Sequence, residues 1–429
     1  MKTVKIALLG AGTVGSQVFR LLQEQDADLD ARAGADLQVA SVVVRNVAAE
    51  RDVAIPADLL TTDADDAIDG ADLVIELIGG INPAREYVMR ALEQGKTVVT
   101  GNKALLAAHG PELNQAVADH GGSLYYEAAV AGAVPVVYGL RESLAGDRIT
   151  GVFGIVNGTT NFILDSMAST GASYEDALAE AQRLGFAEAD PTADVEGLDA
   201  AAKCAILASL AFHTRVSIDD VSVEGITKVT ADDIAEAAAA GYVIKLLAIA
   251  ERAETGAGEE AVSVRVHPSL VPVGHPLASV AGAFNAIVVE GEAAGRLMFY
   301  GQGAGGAPTA SAVLSDVVAA AHHIAHGGGA PQELAYANLP ILSADEAETR
   351  YQIRLAVEDR AGVLSEVARV FADNGVSIQT VQQGERDGES TNLLIATHRA
   401  KEGALRKVVA TLSALPAVAR VDSTLRIEG

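Results

Sequence analysis

The sequence has no tryptophan, a single cysteine and few aromatic residues, which make up 4 % of its 429 positions. One thiol, Cys204, excludes an internal disulfide framework. Scarce aromatic side chains argue against a surface that stacks nucleic-acid bases. Basic residues are also in deficit, because 31 Lys and Arg face 57 Asp and Glu and the formal net charge is −26. Such a surface repels phosphate backbones and anionic lipids, so we expect neither a nucleic-acid nor a membrane partner.

Long apolar runs are missing as well. No stretch approaches the roughly 18 uninterrupted apolar residues that a membrane-spanning helix needs. The N-terminal run Ile6–Leu9 is shorter than the core of a secretory signal, so we expect a cytoplasmic protein. Apolar residues make up 49 % of the chain, and at about 150 residues per domain its length predicts two to four domains with buried cores.

The N-terminal region alternates short apolar runs with helical patterns. The apolar run Val4–Leu9 leads into the segment Gly10-Ala11-Gly12-Thr13-Val14-Gly15, after which apolar residues recur at helical spacing. Alternating β and α elements predict the α/β class, with a doubly wound, Rossmann-like parallel sheet. Further strands of this sheet are predicted at Val39–Val44, Leu73–Ile78, Thr97–Thr100 and Leu124–Glu127.

The remainder of the chain predicts two more domains. β-branched runs at Ile149–Val156, Val262–His267 and Ala286–Glu290 lie between long helical stretches, which favours an α+β domain. The charged, glycine-bearing stretch Glu251–Glu260 is predicted to be a surface loop. Beyond residue 350 the patterns predict a ferredoxin-like βαββαβ module.

We therefore predict a dinucleotide-binding domain at 1–135, completed by about 301–326. An α+β domain is predicted at 136–300, a linker at 327–350, and the βαββαβ module at 351–429.

Three glycines, Gly10, Gly12 and Gly15, form a GxGxxG pattern between a buried strand and a helix. This context favours a turn that presents amide groups to a pyrophosphate, and the alternative is a glycine turn chosen for close helix packing. After the next predicted strand comes Arg45 rather than an acid, which favours the 2′-phosphate of NADP over strict use of NAD. The alternative for Arg45 is a solvent-exposed arginine.

Lys203 is the only charged residue between Ala200 and Phe212, in an otherwise apolar helical segment. Asp199 stands four residues earlier, on the same helix face. A lysine on a buried helix must be paired or line a polar cavity, so this pair is predicted to face a pocket, although an exposed helix pair is the ordinary alternative. Lys203 is our candidate donor of the proton that hydride transfer to a carbonyl requires, with Glu188 and Asp199 able to hold a substrate amino group. Lys103 follows a predicted strand end and reaches cofactor or substrate, or is simply exposed to solvent.

Two other groups invite a functional interpretation that we do not favour. Cys204 lies beside Lys203 but among apolar neighbours, and we predict that it belongs to the core. His322, His323 and His326 include an i, i+4 pair without a nearby acid or cysteine, which is typical of a helix end rather than a metal site.

Several segments together resemble the monofunctional homoserine dehydrogenases. The resemblance runs in order over residues 1 to about 325, and its most specific motifs are NGTTN at 157–161 and GLDAAAK at 197–203. It also includes TGNKA at 100–104, YEAAVAGAVP at 126–135, GFAEADP at 185–191 and GQGAGGAPTA at 301–310. This implies NAD(P)-dependent interconversion of L-homoserine and L-aspartate 4-semialdehyde, in threonine and methionine biosynthesis.

The resemblance also implies roles for particular residues. Lys203 matches the proposed proton donor, and Lys103 matches a lysine assigned to cofactor or substrate contact and sometimes to catalysis. Substrate binding is expected at Glu188, Asp199, Asp194, Thr159 and Gly185. Cofactor binding is expected at Gly10, Gly12, Thr13, Val14, Gly15, Arg45, Lys103 and Gly303. A monovalent cation, usually sodium, is expected at the Glu127 side chain and the carbonyls of Val130, Gly132 and Val134.

Residues 351–429 resemble an ACT domain, through the segments EDRAGVL at 358–364 and NGVSI at 374–378. The implied effector is L-threonine, held by amides near Gly362, and the alternative is a dimerisation module that binds nothing. The two resemblances imply that residues 136–300 form a substrate-binding and oligomerisation domain and that residues 351–429 form a regulatory domain, so we expect a homodimer or homotetramer. The leading alternative function is a non-catalytic sensor that binds a nucleotide and an amino acid without turnover.

Overall fold

The structure of the protein is a computed structural model that describes residues 1–331, 335–387 and 390–428. No helix in these ranges is long and apolar enough to cross a bilayer. Strands and helices alternate through the first part of the chain. They are β1 (Lys2–Leu9), α1 (Thr13–Glu24), α2 (Asp26–Ala33), β2 (Ala35–Val43), β3 (Leu60–Thr61), α3 (Ala64–Asp69), β4 (Leu73–Glu76), α4 (Ala84–Glu93), β5 (Thr97–Thr100), α5 (Lys103–His120) and β6 (Ser123–Tyr125).

The middle of the chain combines helices with longer strands. Its elements are α6 (Val136–Tyr138), β7 (Ile149–Ile155), α7 (Gly158–Thr170), α8 (Tyr174–Arg183), α9 (Thr192–Val195), α10 (Leu198–Phe212), β8 (Ser222–Val223), α11 (Ala231–Ala239), β9 (Tyr242–Glu254), β10 (Glu260–Pro272), β11 (Phe284–Gly291), β12 (Gly295–Gln302) and α12 (Gly306–His326). The C-terminal elements are β13 (Glu348–Glu358), α13 (Val363–Asp373), β14 (Ile378–Asp387), β15 (Ser390–Thr397), β16 (Ala400–Lys401), α14 (Glu402–Ser413) and β17 (Val418–Ile427).

The first compact unit comprises residues 1–158, 199–221 and 283–338. Its parallel sheet has the order β3-β2-β1-β4-β5-β6, so the chain winds in both directions from β1. The apolar residues of α12 share the core of this sheet with β1 and α1. Three antiparallel strands in the order β12-β11-β7 also belong to this unit. The predicted doubly wound parallel sheet is confirmed.

The second unit comprises residues 159–198, 222–282 and 339–429. Its strands follow the order β9-β10-β17-β13-β15-β14, and α13 and α14 cover the C-terminal part with their apolar faces. The order of elements from β13 to β17, apart from the two-residue β16, is the predicted βαββαβ arrangement. The predicted fold class is thereby confirmed, whereas the exact domain boundaries stay predictions.

Buried charges join the last strand to its neighbours in the second unit. β17 pairs with β10 in parallel, and the Arg265 guanidinium on β10 bonds Glu428 just after β17 (3.0 Å) and Glu251 on β9 (2.6 Å). Arg426 on β17 bonds Glu224 (2.7 Å) and Glu402 (2.6 Å). Removing one partner of such a buried pair leaves an uncompensated charge, so the C-terminal strand contributes to the stability of this whole unit.

Some predicted element boundaries are wrong. Glu251–Glu260 is not a loop, because its first four residues end β9 and Glu260 begins β10, which leaves a short turn between them. Charged residues are frequent in this stretch, and a sequence reading by charge alone takes it for a loop. The strand predicted at Leu124–Glu127 ends at Tyr125, and Glu127 instead begins a short 3-10 turn.

Candidate active site

Lys203 lies on α10, a helix whose residues are buried on nearly all sides. Its side chain is 10 % exposed. The Nζ atom donates one hydrogen bond to Asp199 Oδ2 (2.8 Å) and another to the backbone oxygen of Val156 (2.7 Å). The alternative that Lys203 and Asp199 form an exposed pair on the helix surface is therefore wrong. The Lys203 amine is sheltered from bulk solvent and is held by two hydrogen bonds.

Asp199 is shared between two lysines. Its Oδ1 atom accepts a hydrogen bond from Lys103 Nζ, while its Oδ2 atom accepts from Lys203 and from Asn157 Nδ2 (2.9 Å). Burial by itself raises the pKa of Asp199, but the charges and hydrogen bonds of both lysines outweigh it and hold that pKa well below its usual range. The structure thus brings Lys103, Asp199 and Lys203 together around one ionised carboxylate.

The two lysines differ in exposure, and this difference separates what they can do. The Lys103 side chain, at the first position of α5, is 45 % exposed, and its amine reaches only one oxygen of the shared acid among the described contacts. An ammonium carries three N–H groups, and the described part of the chain occupies two of those on Lys203. The third is available to an incoming oxygen, which is the geometry of a proton donor in a preformed site.

Two asparagines hold the acceptors that orient Lys203. Asn157 binds the carboxylate, and Asn285 Nδ2 donates to the same Val156 oxygen that Lys203 uses (3.0 Å). The motif NGTTN contains Asn157, so the resemblance pointed to its segment. Asn285 lies on β11 in an apolar run, and no local pattern in the sequence distinguishes it from a structural residue.

The glycine turn between β1 and α1 has the geometry of a dinucleotide site. Gly10 has φ +100°, and a Cβ there would lie 2.7 Å from the Leu77 oxygen. A Cβ on Gly15 would overlap the backbone of Gly10, whereas Gly12, at the N-terminus of α1, faces open space. Two glycines are thus required by close packing, and the third leaves room at the positive end of a helix, where a pyrophosphate binds.

The other predicted cofactor residues lie around this turn or farther along the unit. Thr13 and Val14 begin α1, so they follow the open position directly. Arg45 is exposed just beyond the end of β2. Gly303 follows β12, and a side chain there would overlap the carboxamide of Asn285, so this backbone packs against a residue that orients the Val156 carbonyl.

The predicted cation site is built around a buried carboxylate. Glu127 is 2 % exposed, and its two oxygens accept from the backbone N–H groups of Val137 (3.0 Å) and Tyr138 (2.7 Å). Burial raises the pKa of Glu127 to about 7, although these two hydrogen bonds and the charge of Arg141 act to lower it. Val130, Gly132 and Val134 lie in an irregular segment outside helices and strands, and the Val134 carbonyl accepts from the Val136 N–H (2.8 Å). These residues fit a hard cation that prefers oxygen ligands.

The remaining predicted substrate residues belong to the second unit. Thr159 is the second residue of α7, and its hydroxyl donates to the backbone oxygen of Phe186 (2.6 Å). Gly185 has φ +78° and follows the end of α8, and Glu188 lies two residues beyond Phe186 with its side chain exposed. Thr159, Gly185 and Glu188 thus belong to one local segment, while Asp194 lies on the next short helix, α9, and is half-buried.

The groups that we set aside lie where the sequence predicts. Cys204 is 1 % exposed on α10, among apolar residues. His322, His323 and His326 occupy the last turns of α12, and His323 Nδ1 bonds the Tyr125 hydroxyl (2.5 Å). Within the described residues no cluster of three His, Cys, Asp or Glu side chains has metal-binding geometry.

Comparison with known proteins covers nearly the whole chain. Family models match residues 10–127 (homoserine dehydrogenase, NAD binding domain), 135–318 (homoserine dehydrogenase) and 351–417 (ACT domain). The chain is 57 % identical to homoserine dehydrogenase from Corynebacterium glutamicum, over 99 % of this chain and 96 % of that protein. Identity to the enzyme from Mycobacterium tuberculosis H37Rv is 53 %, over 100 % and 98 %.

A solved structure agrees with these sequence relationships. The crystal structure of a homoserine dehydrogenase from Thiobacillus denitrificans superimposes with a TM-score of 0.92 at 41 % identity, and the match covers 100 % of this chain and 99 % of that one. The Corynebacterium relative is more than half identical over nearly the whole chain, and the solved structure superimposes over the full length of the chain. The chain therefore belongs to the homoserine dehydrogenase family, as a member with an NAD-binding domain and a C-terminal ACT domain.

Proposed function

We propose that the protein interconverts L-homoserine and L-aspartate 4-semialdehyde with a nicotinamide cofactor, and that Lys203 is the proton donor. A bound reduced nicotinamide supplies the hydride to the aldehyde carbon. The carbonyl oxygen then takes a proton from Lys203 Nζ, which yields the alcohol and leaves a neutral amine. The observation that carries this proposal is the buried Lys203 amine, with two N–H groups engaged and one available.

Asp199 and Lys103 complete this proposed site. Asp199 orients the Lys203 amine, and the charges and hydrogen bonds of both lysines keep this carboxylate ionised. We assign Lys103 to orientation of Asp199 and of cofactor or substrate, because its more exposed amine is not fixed by a second acceptor in the described contacts. Glu188, Asp194, Thr159 and Gly185 are proposed to bind the amino-acid end of the substrate.

The cofactor is proposed to bind at the glycine turn, through Gly10, Gly12, Thr13, Val14 and Gly15. Its nicotinamide end is proposed to lie near Gly303. Arg45, exposed beyond β2, supports a preference for NADP through charge attraction to the 2′-phosphate. A monovalent cation, sodium by our proposal, would be held by Glu127 and the carbonyls of Val130, Gly132 and Val134.

The ACT domain is proposed to bind L-threonine as a feedback inhibitor. α13 begins after Gly362, which has φ +96°, and amides of its first turn can receive a carboxylate. Its apolar residues form a core of their own with β13, β15 and α14, which gives the proposed effector site a rigid support. We also propose that the active form is a homodimer or homotetramer.

The decisive assay measures oxidation of NADPH by the full-length protein in the presence of L-aspartate 4-semialdehyde. It is repeated with NADH, with and without sodium, and with millimolar L-threonine. Turnover that depends on the semialdehyde supports the proposed reaction. Tight binding of NADPH without turnover would refute it and favour a non-catalytic sensor. Turnover that ignores threonine would refute the regulatory proposal alone.

A further inference from the structure

Glu76 is the last residue of β4, between β1 and β5, and its side chain is fully buried. A carboxylate in such a place needs hydrogen-bond donors, because transfer out of water disfavours its charge. In a parallel sheet the carboxyl ends of the strands form the edge at which ligands bind. A buried acid at that edge, in a strand that otherwise reads Leu-Val-Ile, is therefore unusual and calls for a function.

Three neutral donors satisfy this carboxylate. Its Oε1 atom accepts from the backbone N–H groups of Ile78 (2.8 Å) and Gly79 (3.2 Å), and its Oε2 atom accepts from Thr100 Oγ1 (2.7 Å). The Thr100 oxygen in turn accepts from the N–H of Asn102 (3.0 Å), so its single hydrogen must point at Glu76. The hydrogen bonds thus form one directed chain from Asn102 through Thr100 to Glu76.

Asn102 extends the chain in two directions. Its Oδ1 atom accepts from Leu105 N (3.1 Å), which caps α5, and its Nδ2 atom donates to the Gly80 oxygen (2.6 Å). Lys103 is the next residue and the first of α5. The start of the helix that carries Lys103 is therefore held by the same side chain that holds the end of the segment 77–80.

The segment 77–80 borders the glycine turn. The Leu77 N–H donates to the Leu9 oxygen (2.8 Å), and the Leu77 oxygen lies 2.7 Å from where a Cβ of Gly10 would stand. Gly79 and Gly80 both have positive φ, 79° and 72°, so this backbone is not held in place by regular secondary structure. Its conformation depends on the bonds to Glu76 at one end and to Asn102 at the other.

We infer that Glu76, with Thr100 and Asn102, forms a positioning network that sets segment 77–80 beside the cofactor turn and orients the start of the Lys103 helix. This inference rests on the proposed function, because it takes the Gly10 turn as the cofactor site. Glu76 acts through other residues and touches no reacting atom. Breaking the network shifts two parts of the site at once, and shifts of about 1 Å cost as much as about a hundredfold in rate.

The test uses the full-length protein and variants that break single links. Glu76→Gln places an amide NH₂ where the Thr100 hydroxyl donates, and Thr100→Val removes that hydroxyl. Thr100→Ser keeps a hydroxyl at this position and is the conservative variant. Thr397→Val is the matched control, because Thr397 is equally buried and its hydroxyl likewise accepts from a backbone N–H, that of Tyr351 (2.9 Å), in the ACT domain.

We expect Glu76→Gln and Thr100→Val to lower kcat/KM for NADPH at least about tenfold, and Thr100→Ser and Thr397→Val to stay within about twofold of the wild type. Melting temperatures separate this effect from instability. If Thr100→Val melts like Thr397→Val but keeps the kinetics of the wild type, the network is merely structural and the inference is overturned.

Asn102→Ser decides the matter should Glu76→Gln and Thr100→Val fail to fold. Serine keeps a side-chain oxygen that can cap α5 and adds no charge, but it has no amide to donate to the Gly80 oxygen, so the hold on segment 77–80 is lost. We expect kcat/KM for NADPH to fall at least about fivefold, and an unchanged value overturns the inference. A wild-type protein that fails to oxidise NADPH with the semialdehyde would instead refute the proposed function, which keeps the two failures distinct.

Discussion

Replacing Lys203 by methionine tests the proposed chemistry most directly. The variant keeps most of the bulk of the side chain but loses two hydrogen bonds and the proton donor. Asp199 keeps Lys103 and Asn157 as partners, so its charge stays compensated and the fold should persist at a cost of about 1–3 kcal/mol. A general acid contributes about 10²–10⁴ in rate, so we expect kcat to fall by that factor, or about 3–5 kcal/mol of barrier.

The assay follows NADPH oxidation with L-aspartate 4-semialdehyde, and a separate fluorescence titration measures the affinity for NADPH. Lys96→Ala is the control, because the Lys96 amine likewise donates to backbone oxygens, those of Ile68 (2.5 Å), Asp69 (2.8 Å) and Ala71 (2.8 Å). It lies at the start of β5, the edge of the sheet away from the proposed site. Its loss should lower stability and leave kcat within about twofold.

Two results would contradict the reasoning about Lys203. A kcat within about tenfold of the wild type would show that the proton comes from elsewhere. A larger loss in Lys103→Met than in Lys203→Met would assign the proton to Lys103. If the affinity for NADPH falls in parallel with kcat, Lys203 maintains the structure of the site and does not act as the proton donor.

Three further predictions follow from the electrostatics and the turn geometry. The folded-state pKa of Asp199 lies below its unfolded value, so its stabilisation is present above about pH 4 and is lost as the pH falls. Urea unfolding should thus show Asp199→Asn less stable than the wild type at pH 7, and a difference that does not shrink below pH 4 would contradict this. Arg45→Ala should raise KM for NADP about tenfold and leave KM for NAD unchanged, and an equal effect on both would remove Arg45 from the cofactor site. Gly362→Ala strains a residue with φ +96° and should weaken threonine inhibition, measured as the inhibitory concentration, with kcat preserved; unchanged inhibition would place the effector elsewhere.

Much of the architecture was predictable from local patterns. Runs such as Thr97–Thr100 are short, apolar and bounded by turn residues, and the structure reproduces that strand without change. Local signals of this kind need no knowledge of the rest of the chain. The Glu251–Glu260 prediction failed because strand pairing between β9 and β10 overrides the preference of charged residues for loops.

The site was only partly predictable. An isolated lysine in an apolar helix pointed to Lys203, and its spacing from Asp199 pointed to the pair. Glu76 and Asn285 are also polar residues in largely apolar strands, but no residue near them in sequence indicates their partners. Their roles depend on backbone groups that are distant in sequence, such as the Val156 oxygen that Asn285 binds.

By itself the sequence determined the alternation of elements, the glycine turn, the family resemblance and the presence of a charged pair on a buried helix. The alternation of elements, the glycine turn and the charged pair depend on residues that are close together in sequence, where residue type sets the backbone geometry. Only the tertiary structure decided which acceptors meet the Lys203 amine and that Lys103, 96 residues away from Asp199, shares the same carboxylate. Hydrogen bonds and ion pairs act over a few ångströms of space regardless of chain separation, so the fold has to bring such partners together before their chemistry exists.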